Sequence, residues 1–393
     1  MSEPRIGVIG GGQLARMMQE AALPLGLRLR LLAEGPETSA ALAVPGAEVG
    51  DFTDPDAVVA FAAGLDAVTF DHEHVPTELL RRLADAGVAV RPGPEALVHA
   101  QDKAAMRERL TALGVPCPRW RVVASPAELT AFAEEAGWPV IAKTSRGGYD
   151  GKGVWKVDAP ADADAPFAAL AGPQGPTEAQ READPSVVIV AEEFVDFARE
   201  LSVLVARRPG GEAVAYPVSE TVQRDGICHE TTTPAPGLSP ARAARLQEMA
   251  LGVADALGVV GILAVELMER RDGEVVVNEL AMRPHNTGHW SIDGAVTSQF
   301  ENHLRAVADW PLGATDPVAP VTVMSNILGG ANGDLVGSLP QVLADPRVRV
   351  HLYGKAVKPG RKVGHVTVCG TDLATTRDAA RAASDLLEGR THG

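Results

Sequence analysis

Two acidic residues stand out because a predicted hairpin would place one beside the other. Glu266 lies in the apolar segment GILAVELM and Glu279 in EVVVNELA, and Asp272-Gly273 between them is a strong signal for a two-residue turn. That turn predicts Glu266 and Glu279 as direct cross-strand partners. Like charges about 5 Å apart at Cβ are unfavourable, so we expect a cation between them, and hard carboxylate ligands suit Mg2+. A solvated acidic pair on a sheet surface is the alternative.

The residues around the second acid favour the metal site. The same end of the hairpin is crowded by Asn278, Arg283, His285, Asn286 and His289. An anion-binding arginine beside a metal-binding acid pair is typical of phosphate chemistry.

A glycine-rich turn near the amino terminus is a candidate phosphate site. The segment Gly10-Gly11-Gly12-Gln13-Leu14-Ala15 follows a predicted strand and opens a helix, and Glu34 ends the second strand. Together they satisfy a dinucleotide fingerprint, so this segment alone allows an NAD-dependent oxidoreductase. The same turn at a helix amino terminus would bind other phosphates equally well.

A second glycine-rich segment, GGYDGKG at residues 147–153, lies between two predicted strands. Its backbone amides could close over a polyphosphate, although its spacing differs from that of a P-loop. A hairpin loop without a ligand is the alternative. Lys143, at the end of the preceding strand, favours the phosphate-binding interpretation and a lid-like role.

The segment VVIVAEEFV at residues 187–195 is apolar and turns acidic where two predicted domains meet. It could hold a purine ring against backbone amides, with Glu200 near the ribose hydroxyls. A buried strand followed by a surface acid is the more ordinary interpretation.

A basic cluster in the tail suits a phosphorylated small substrate. Lys355, Lys358, Arg361 and Lys362 lie around a predicted Pro359-Gly360 turn, for which a solvated loop is the alternative. His72, Glu73 and His74 follow the third strand, where open α/β sheets bind ligands, but a His-x-His metal site lacks an evident third ligand.

The order of predicted elements divides the chain into three parts. Residues 1–100 alternate strands and helices, which predicts a parallel, Rossmann-like sheet. One linking helix, predicted from Glu95 to Leu113, leads into the second part. That part, residues 101–192, continues as a small α+β unit. Residues 193–393 contain apolar strands that predict mainly antiparallel pairing.

Composition excludes several classes. The 393 residues are 46% hydrophobic and 22% charged, with a net charge of −15 that argues against a nucleic-acid surface. Cys117, Cys228 and Cys369 lack CxxC spacing, so we expect neither disulfides nor a zinc site but a reduced cytoplasmic location. No apolar run approaches the roughly 20 residues needed to span a bilayer, so we expect no membrane association.

Taken together, these motifs resemble one family. GGGQLARM at 10–17, GGYDGKG at 147–153, EEFV at 192–195, VELM with VNELAMRPHNTGHW within 265–290, and KPGRKVGH at 358–365 are similar to 5-(carboxyamino)imidazole ribonucleotide synthases, which are ATP-grasp enzymes of purine biosynthesis. The resemblance implies an ATP-grasp architecture: a Rossmann-like amino-terminal domain, a small lid domain and a carboxyl-terminal domain, with ATP between the last two. It also implies a homodimer, and ATP and Mg2+ as cofactors.

The implied reaction converts ATP, 5-aminoimidazole ribonucleotide and bicarbonate into ADP, phosphate and the N-carboxylated ribonucleotide, through carboxyphosphate. The resemblance assigns nucleotide phosphates to Lys103, Lys143, Gly148, Tyr149, Asp150, Gly151, Lys152, Gly153 and Val154. It assigns adenine and ribose to Glu192, Glu193, Phe194, Val195, Gln223 and Glu200, and Mg2+ to Glu266 and Glu279, beside Asn278. It assigns the binding of bicarbonate or carboxyphosphate to Arg283, His285 and Asn286. It assigns the binding of the ribonucleotide to Gln13, Glu73, Tyr149, Lys152, Lys355, Arg361 and Lys362, with Asp150 as the proton acceptor.

Two positions depart from the family pattern. Met282 replaces a proline that commonly precedes the arginine, and Gln223 replaces a histidine often found near adenine. Neither change removes an essential charge. The resemblance disfavours the NAD-dependent oxidoreductase, and the nearer alternatives are another ATP-grasp carboxylase or a formate-dependent ligase.

Overall fold

The computed structural model describes residues 3–147, 153–171, 187–224 and 226–390. Its amino-terminal part comprises β1 (Ile6–Ile9), α1 (Gln13–Ala22), β2 (Leu29–Ala33), β3 (Glu48–Val49), α2 (Pro55–Ala62), β4 (Ala67–Phe70), α3 (Thr77–Asp85) and β5 (Ala89–Val90). The strands pair in parallel in the order β3-β2-β1-β4-β5. Every residue of β1 and β4 is buried, as expected for a parallel sheet covered on both faces. The predicted parallel sheet is confirmed.

The predicted linking helix, Glu95 to Leu113, is wrong because it is two helices. They are α4 (Pro94–Gln101) and α5 (Lys103–Ala112). Asp102 between them has an extended backbone, and its carboxylate accepts hydrogen bonds from the amides of Ala104 and Ala105, as an N-cap does. The break makes Lys103 the first residue of a new helix.

A small unit built on an antiparallel sheet follows. The unit comprises β6 (Trp120–Val123), α6 (Pro126–Ala136), β7 (Val140–Thr144), β8 (Val154–Val157), α7 (Asp164–Ala171) and β9 (Ile189–Glu193), with a 3-10 turn at Pro160–Asp162. The strand order is β6-β9-β7-β8. The second glycine-rich segment connects β7 to β8, but Gly148, Tyr149, Asp150, Gly151 and Lys152 lie outside the described residues, so their predicted roles are not tested.

In the described part of the carboxyl-terminal region, nine strands form one sheet. The helices and strands of this region are β10 (Phe197–Arg207), β11 (Ala213–Ala215), β12 (Ser219–Arg224), β13 (Ile227–Thr233), α8 (Pro240–Ala256), β14 (Gly261–Arg270), β15 (Val275–Ala281), α9 (Ser291–Gly294), α10 (Gln299–Val307), β16 (Val321–Leu328), α11 (Leu335–Val342), β17 (Val348–Leu352), β18 (Lys362–Gly370) and α12 (Leu373–Glu388). The order is β15-β14-β10-β12-β13-β16-β18-β17, with β11 on β10, and all pairs are antiparallel as predicted.

One apolar core joins the first sheet to the largest. It runs from Phe70 through Met106 and Leu110 of α5 to Val265 and Val277. Because α5 is packed on both sides, its polar side chains are held at fixed positions beside β15.

The hairpin β14-β15 contains the predicted acid pair but not the predicted turn. The amide of Arg270 bonds to the carbonyl of Glu274 (2.7 Å), so the loop has three residues and ends at Gly273, whose φ is +90°. A β-bulge then shifts the register between Leu267, which pairs with Val277, and Glu266, which pairs with Glu279. The two-residue turn is wrong. The cross-strand pairing is confirmed, because the extra residue of the bulge, Asn278, compensates for the extra residue of the turn.

The amino-terminal glycine turn is closed by the chain's own carboxylates. The amides of Gly12 and Ala15 donate to Asp71 (2.9 and 2.8 Å), and the amide of Gly11 donates to Glu34 (3.0 Å). In a dinucleotide site such amides face a pyrophosphate, which two carboxylates would repel. This packing is the physical argument against the NAD interpretation.

The close packing of Asp71 against the turn gives a stability prediction. A Cβ on Gly12 would lie 2.0 Å from an oxygen of Asp71. We expect Gly12→Ala to lower the free energy of unfolding by about 1–3 kcal/mol, as overpacking does. Gly35→Ala is the matched control, because a Cβ there meets nothing within 4 Å, and it should stay within about 0.5 kcal/mol of wild type. Urea unfolding followed by intrinsic fluorescence measures both. Equal losses in the two variants would contradict the prediction.

Candidate active site

One cleft of about 1610 Å³ lies where the three parts of the chain meet. Nearly all described residues that sequence reasoning selected line it: Gln13, Glu73, Lys103, Lys143, Val154, Glu192, Glu193, Phe194, Val195, Glu200, Gln223, Glu266, Asn278, Glu279, Arg283, His285, Asn286, Lys355, Arg361 and Lys362. Gly153 is not among the lining residues. It has a φ of +69°, and its carbonyl accepts a hydrogen bond from the amide of Thr144 where β7 and β8 converge on the loop.

The acid pair lies in this cleft. Lys103 Nζ is 3.5 Å from Glu279 Oε1, and His285 Nε2 is 3.2 Å from Glu266 Oε1. Burial, and then the nearby carboxylates of Glu279 and Glu200, raise the pKa of Glu266 to about 8. The site therefore resists ionisation of Glu266 at neutral pH unless a further positive charge enters.

The residues present fit a divalent cation that is shared with a ligand. Within the described ranges no group of three or more His, Cys, Asp or Glu side chains could hold a metal ion alone. Two carboxylates and the amide oxygen of Asn278 are hard donors. This is a partial set of the kind that Mg2+ completes with water and nucleotide phosphates.

A buried arginine that sequence reasoning missed supports these donors. Arg107 on α5 is fully buried; its Nε donates to Glu192 (2.7 Å), and its Nη1 and Nη2 donate to the carbonyls of Val277 (2.8 Å) and Asn278 (2.7 Å). Arg107 thus ties the helix to β9 and to the bulge of β15. Its partners are far away in sequence, so no local pattern identifies it.

Lys143 projects from β7 toward the same place. Its Nζ is 2.8 Å from Glu192 and 3.3 Å from Asn278 Oδ1. Burial alone would raise the pKa of Glu192, but the charges of Lys143 and Arg107 lower it to about 2. The predicted adenine contact of Glu192 can therefore come only from its backbone, because its carboxylate is buried and doubly paired.

The neighbouring residues form the wall of the cleft at the end of β9. The carboxylate of Glu193 pairs with Arg119 (2.9 Å) and Arg270 (2.5 Å), whereas the ring of Phe194 is 42% exposed and Val195 is buried. Glu200 lines the cleft, and burial raises its pKa to about 7. Gln223 lines the same wall.

The other side of the acid pair carries the anion-binding candidates. Arg283 Nε is 3.3 Å from Glu73 Oε2, and Glu73 Oε1 accepts the amide of Met282 (2.6 Å). Asn286 and Asn326 exchange side-chain hydrogen bonds (2.9 and 2.6 Å). Burial and then the charge of Arg283 lower the pKa of His285 well below its ordinary value, so its imidazole is neutral at physiological pH.

The basic cluster reaches the cleft from the tail and contacts the amino terminus of α1. Lys355 Nζ donates to Gln13 Oε1. The predicted turn is confirmed: the amide of Arg361 bonds to the carbonyl of Lys358 (3.0 Å), with Gly360 at φ +73°. Lys355, Arg361 and Lys362 line the cleft, whereas Lys358 is exposed outside it.

The His-x-His segment forms no metal site within the described residues. His72 Nε2 is 3.3 Å from Glu34 Oε1, and the rings of His72 and His74 stack at 5.3 Å. His72 therefore pairs with the acid that closes the glycine turn.

These features define the class of protein. A small antiparallel sheet with a glycine-rich loop and a lysine faces a larger antiparallel sheet with paired acids, which is the arrangement of an ATP-grasp protein. Family models match accordingly: a ribonucleotide synthetase preATP-grasp domain over residues 3–101, an ATP-grasp domain over residues 108–300 and a phosphoribosylaminoimidazole carboxylase C-terminal domain over residues 322–379.

Individual relatives narrow the class to a family. The chain is 50% identical to N5-carboxyaminoimidazole ribonucleotide synthase of Mycobacterium bovis, over 98% of this chain and 88% of the relative. The Thermus thermophilus N5-carboxyaminoimidazole ribonucleotide synthetase structure has a TM-score of 0.84 and 37% identity, covering 99% of both chains. The Aspergillus clavatus N5-carboxyaminoimidazole synthase, solved with ADP and 5-aminoimidazole ribonucleotide, has a TM-score of 0.85 and 32% identity, covering 98% and 99%.

The chain belongs to the N5-carboxyaminoimidazole ribonucleotide synthase family. The resemblance inferred from the motifs and the ATP-grasp architecture are both confirmed. In the described part of the chain, no helix has the length and apolar character needed to cross a membrane.

Proposed function

We propose that this protein catalyses ATP-dependent carboxylation of 5-aminoimidazole ribonucleotide by bicarbonate, giving N5-carboxyaminoimidazole ribonucleotide, ADP and phosphate, as a step of purine biosynthesis. The observation that carries the proposal is that one cleft is lined by every kind of group this reaction needs. The acid pair Glu266–Glu279, Lys103, Lys143 and Arg283 line it together with Lys355, Arg361 and Lys362, and Lys143 donates to Asn278 beside the acids.

The nucleotide end needs positive charge near the transferred phosphoryl group. Lys103 and Lys143 approach Glu279 and Asn278 directly, so both cations are already aimed at the place where an ATP triphosphate would meet the acids. Such preorganised charge is usually the largest contribution to phosphoryl transfer. Mg2+ bound by Glu266 and Glu279 would supply further neutralisation of the phosphate oxygens.

The middle of the cleft suits bicarbonate and carboxyphosphate. A bicarbonate oxygen attacks the γ-phosphorus, and the bond from that phosphorus to ADP breaks. Arg283 offers a fixed cation, while neutral His285 and the amide of Asn286 can donate hydrogen bonds without adding charge. Carboxyphosphate hydrolyses in water, so the loop between β7 and β8 is assigned the role of a lid that excludes solvent.

The acceptor end suits a ribonucleotide phosphate. Lys355, Arg361 and Lys362 present cations from the tail, and Gln13 and Glu73 reach the same cleft from the first sheet. The amine of the substrate attacks the carboxyl carbon, phosphate leaves, and one proton must be removed from the nitrogen. By family resemblance this proton goes to Asp150, with Tyr149 and Lys152 beside the substrate.

Further properties belong to the same proposal. Mg2+ is the divalent cation, and the protein works as a homodimer. Its location is the cytoplasm, with which three free cysteines agree. The domain boundaries at 1–100, 101–192 and 193–393 agree with the break between α4 and α5 and with the end of β9. Sedimentation of the purified protein tests the dimer.

Phosphate release tests the reaction directly. We expect release from ATP to require both 5-aminoimidazole ribonucleotide and bicarbonate, and label from 13C-bicarbonate to appear in the ribonucleotide. Formate in CO2-free buffer is the matched control, because a formate-dependent ligase would turn over with it. Equal phosphate release with formate, or release indifferent to the ribonucleotide, would reject the proposed reaction.

The acid pair gives a second prediction. Glu266→Gln and Glu279→Gln keep the shape of the side chain but remove a charge from the metal site, so each should lower turnover about 10²-fold or more and raise the Mg2+ concentration required. Glu274→Gln, an exposed glutamate on the same hairpin, serves as the control and should match wild type. Wild-type turnover with an unchanged Mg2+ requirement in either cleft variant would contradict the assignment.

The basic cluster gives a third prediction. Lys355→Ala removes a cation aimed at the ribonucleotide phosphate, so the KM for the ribonucleotide should rise about tenfold or more while the KM for ATP changes less than about twofold. Lys358→Ala removes an exposed lysine of the same segment and should change neither constant. Steady-state kinetics with each substrate varied in turn measure the effect. A rise confined to the KM for ATP would show that Lys355 acts elsewhere.

A further inference from the structure

Arg107 joins two parts of the proposed nucleotide site from behind the cleft wall. It bonds to Glu192, which holds Lys143, and to the two carbonyls at the bulge that precedes Glu279. It does not line the cleft and is fully buried, so it cannot touch a substrate. Any effect on the reaction must pass through the residues that it holds.

The carbonyls of Val277 and Asn278 explain why this residue is an arginine. In a regular strand successive carbonyls point to opposite edges, whereas Val277 and Asn278 both accept from one guanidinium. Such convergence is available only where a bulge distorts the strand, and the register shift lies at this point. The planar guanidinium supplies three N–H directions at once, which a lysine ammonium on a flexible stem cannot match.

The bulge in turn decides where the metal acids lie. Without it the three-residue loop would pair Glu266 with Asn278 and move Glu279 one position along the ladder, which would point its side chain to the opposite face of the sheet. The amide of Val277 also bonds to the carbonyl of Pro116 (2.8 Å), so the bulged backbone is held from the segment after α5 as well.

Arg107 also shares Glu192 with Lys143. The two carboxylate oxygens are divided between them, Oε1 to Arg107 and Oε2 to Lys143. Arg107, Lys143 and Glu192 together carry one net positive charge, so they still attract a phosphate near Lys143. Without Arg107 the same lysine would be neutralised by Glu192 alone.

We propose that Arg107 is a positioning residue for nucleotide and metal binding, because it fixes the bulge that aligns Asn278 and Glu279 and shares the carboxylate of Glu192 that holds Lys143. This inference rests on the proposed ATP and Mg2+ site. It assigns Arg107 no contact with ribonucleotide or bicarbonate.

The test compares Arg107→Lys and Arg107→Met with Arg109→Lys, a conservative change two residues along the same helix. Arg109 is exposed and donates only to the carbonyl of Ala256 among its described contacts. Calorimetry measures binding of ATP at several Mg2+ concentrations without ribonucleotide, and steady-state kinetics measure the KM for the ribonucleotide. Thermal unfolding reports whether each variant is folded.

We expect folded Arg107→Lys to need about tenfold more Mg2+ for half-maximal ATP binding, with its ribonucleotide KM within about twofold of wild type. Arg107→Met should be affected more, and Arg109→Lys should match wild type. A lower melting temperature with an unchanged Mg2+ requirement would overturn the inference in favour of a structural role, as would failure of Arg107→Lys to fold. If wild type binds Mg2+ and ATP but does not carboxylate the ribonucleotide, the proposed function fails while the Arg107 comparison still decides this inference. If wild type binds no nucleotide, both fail.

Discussion

Two carboxylates held side by side on adjacent strands are the constraint around which this cleft is built. Placing the largely buried carboxylate of Glu266 beside Glu279 costs free energy, in agreement with the raised pKa of Glu266. The surrounding cations reduce that cost only in part: Lys103 lies 3.5 Å from Glu279, and Lys143 is already paired with Glu192. The acids are therefore left with an affinity for further positive charge. Under the proposed function a divalent cation would need oxygen atoms of the nucleotide as further ligands, since the described residues contain no group of three or more His, Cys, Asp or Glu that could hold it alone.

The same constraint explains why three parts of the chain must meet at one place. Glu73 from the first sheet holds the amide of Met282 and the guanidinium of Arg283, and Lys355 from the tail reaches back to Gln13. Between these contacts Glu279 at the end of β15 and Arg283 just after it line the same cleft as Lys355 and Lys362.

Local patterns predicted the elements well and the joints between them poorly. The parallel sheet, the small α+β unit and the largely antiparallel third part were predicted from the order of apolar segments, helical segments and turn signals. The single helix from Glu95 to Leu113 was wrong because Asp102 has a strong local alternative, capping, that periodicity ignores. In the hairpin the turn was wrong and the acid pairing right, since two one-residue irregularities cancel. Arg107 could not have been found this way. Its carboxylate and carbonyl acceptors lie 85, 170 and 171 residues away along the chain.

The amino-terminal glycine turn shows why the same short motif supports different chemistry in different proteins. Its glycines satisfy the dinucleotide fingerprint, and the helix that follows offers the expected amides. What differs is the end of β4, which brings Asp71 against Gly12 and Ala15, and His72 beside Glu34. A carboxylate placed on a helix amino terminus gains the same stabilisation that a phosphate would, and it excludes one by charge. In this protein the turn is therefore a structural cap, and it fixes the start of α1, where Gln13 lines the cleft and accepts a hydrogen bond from Lys355.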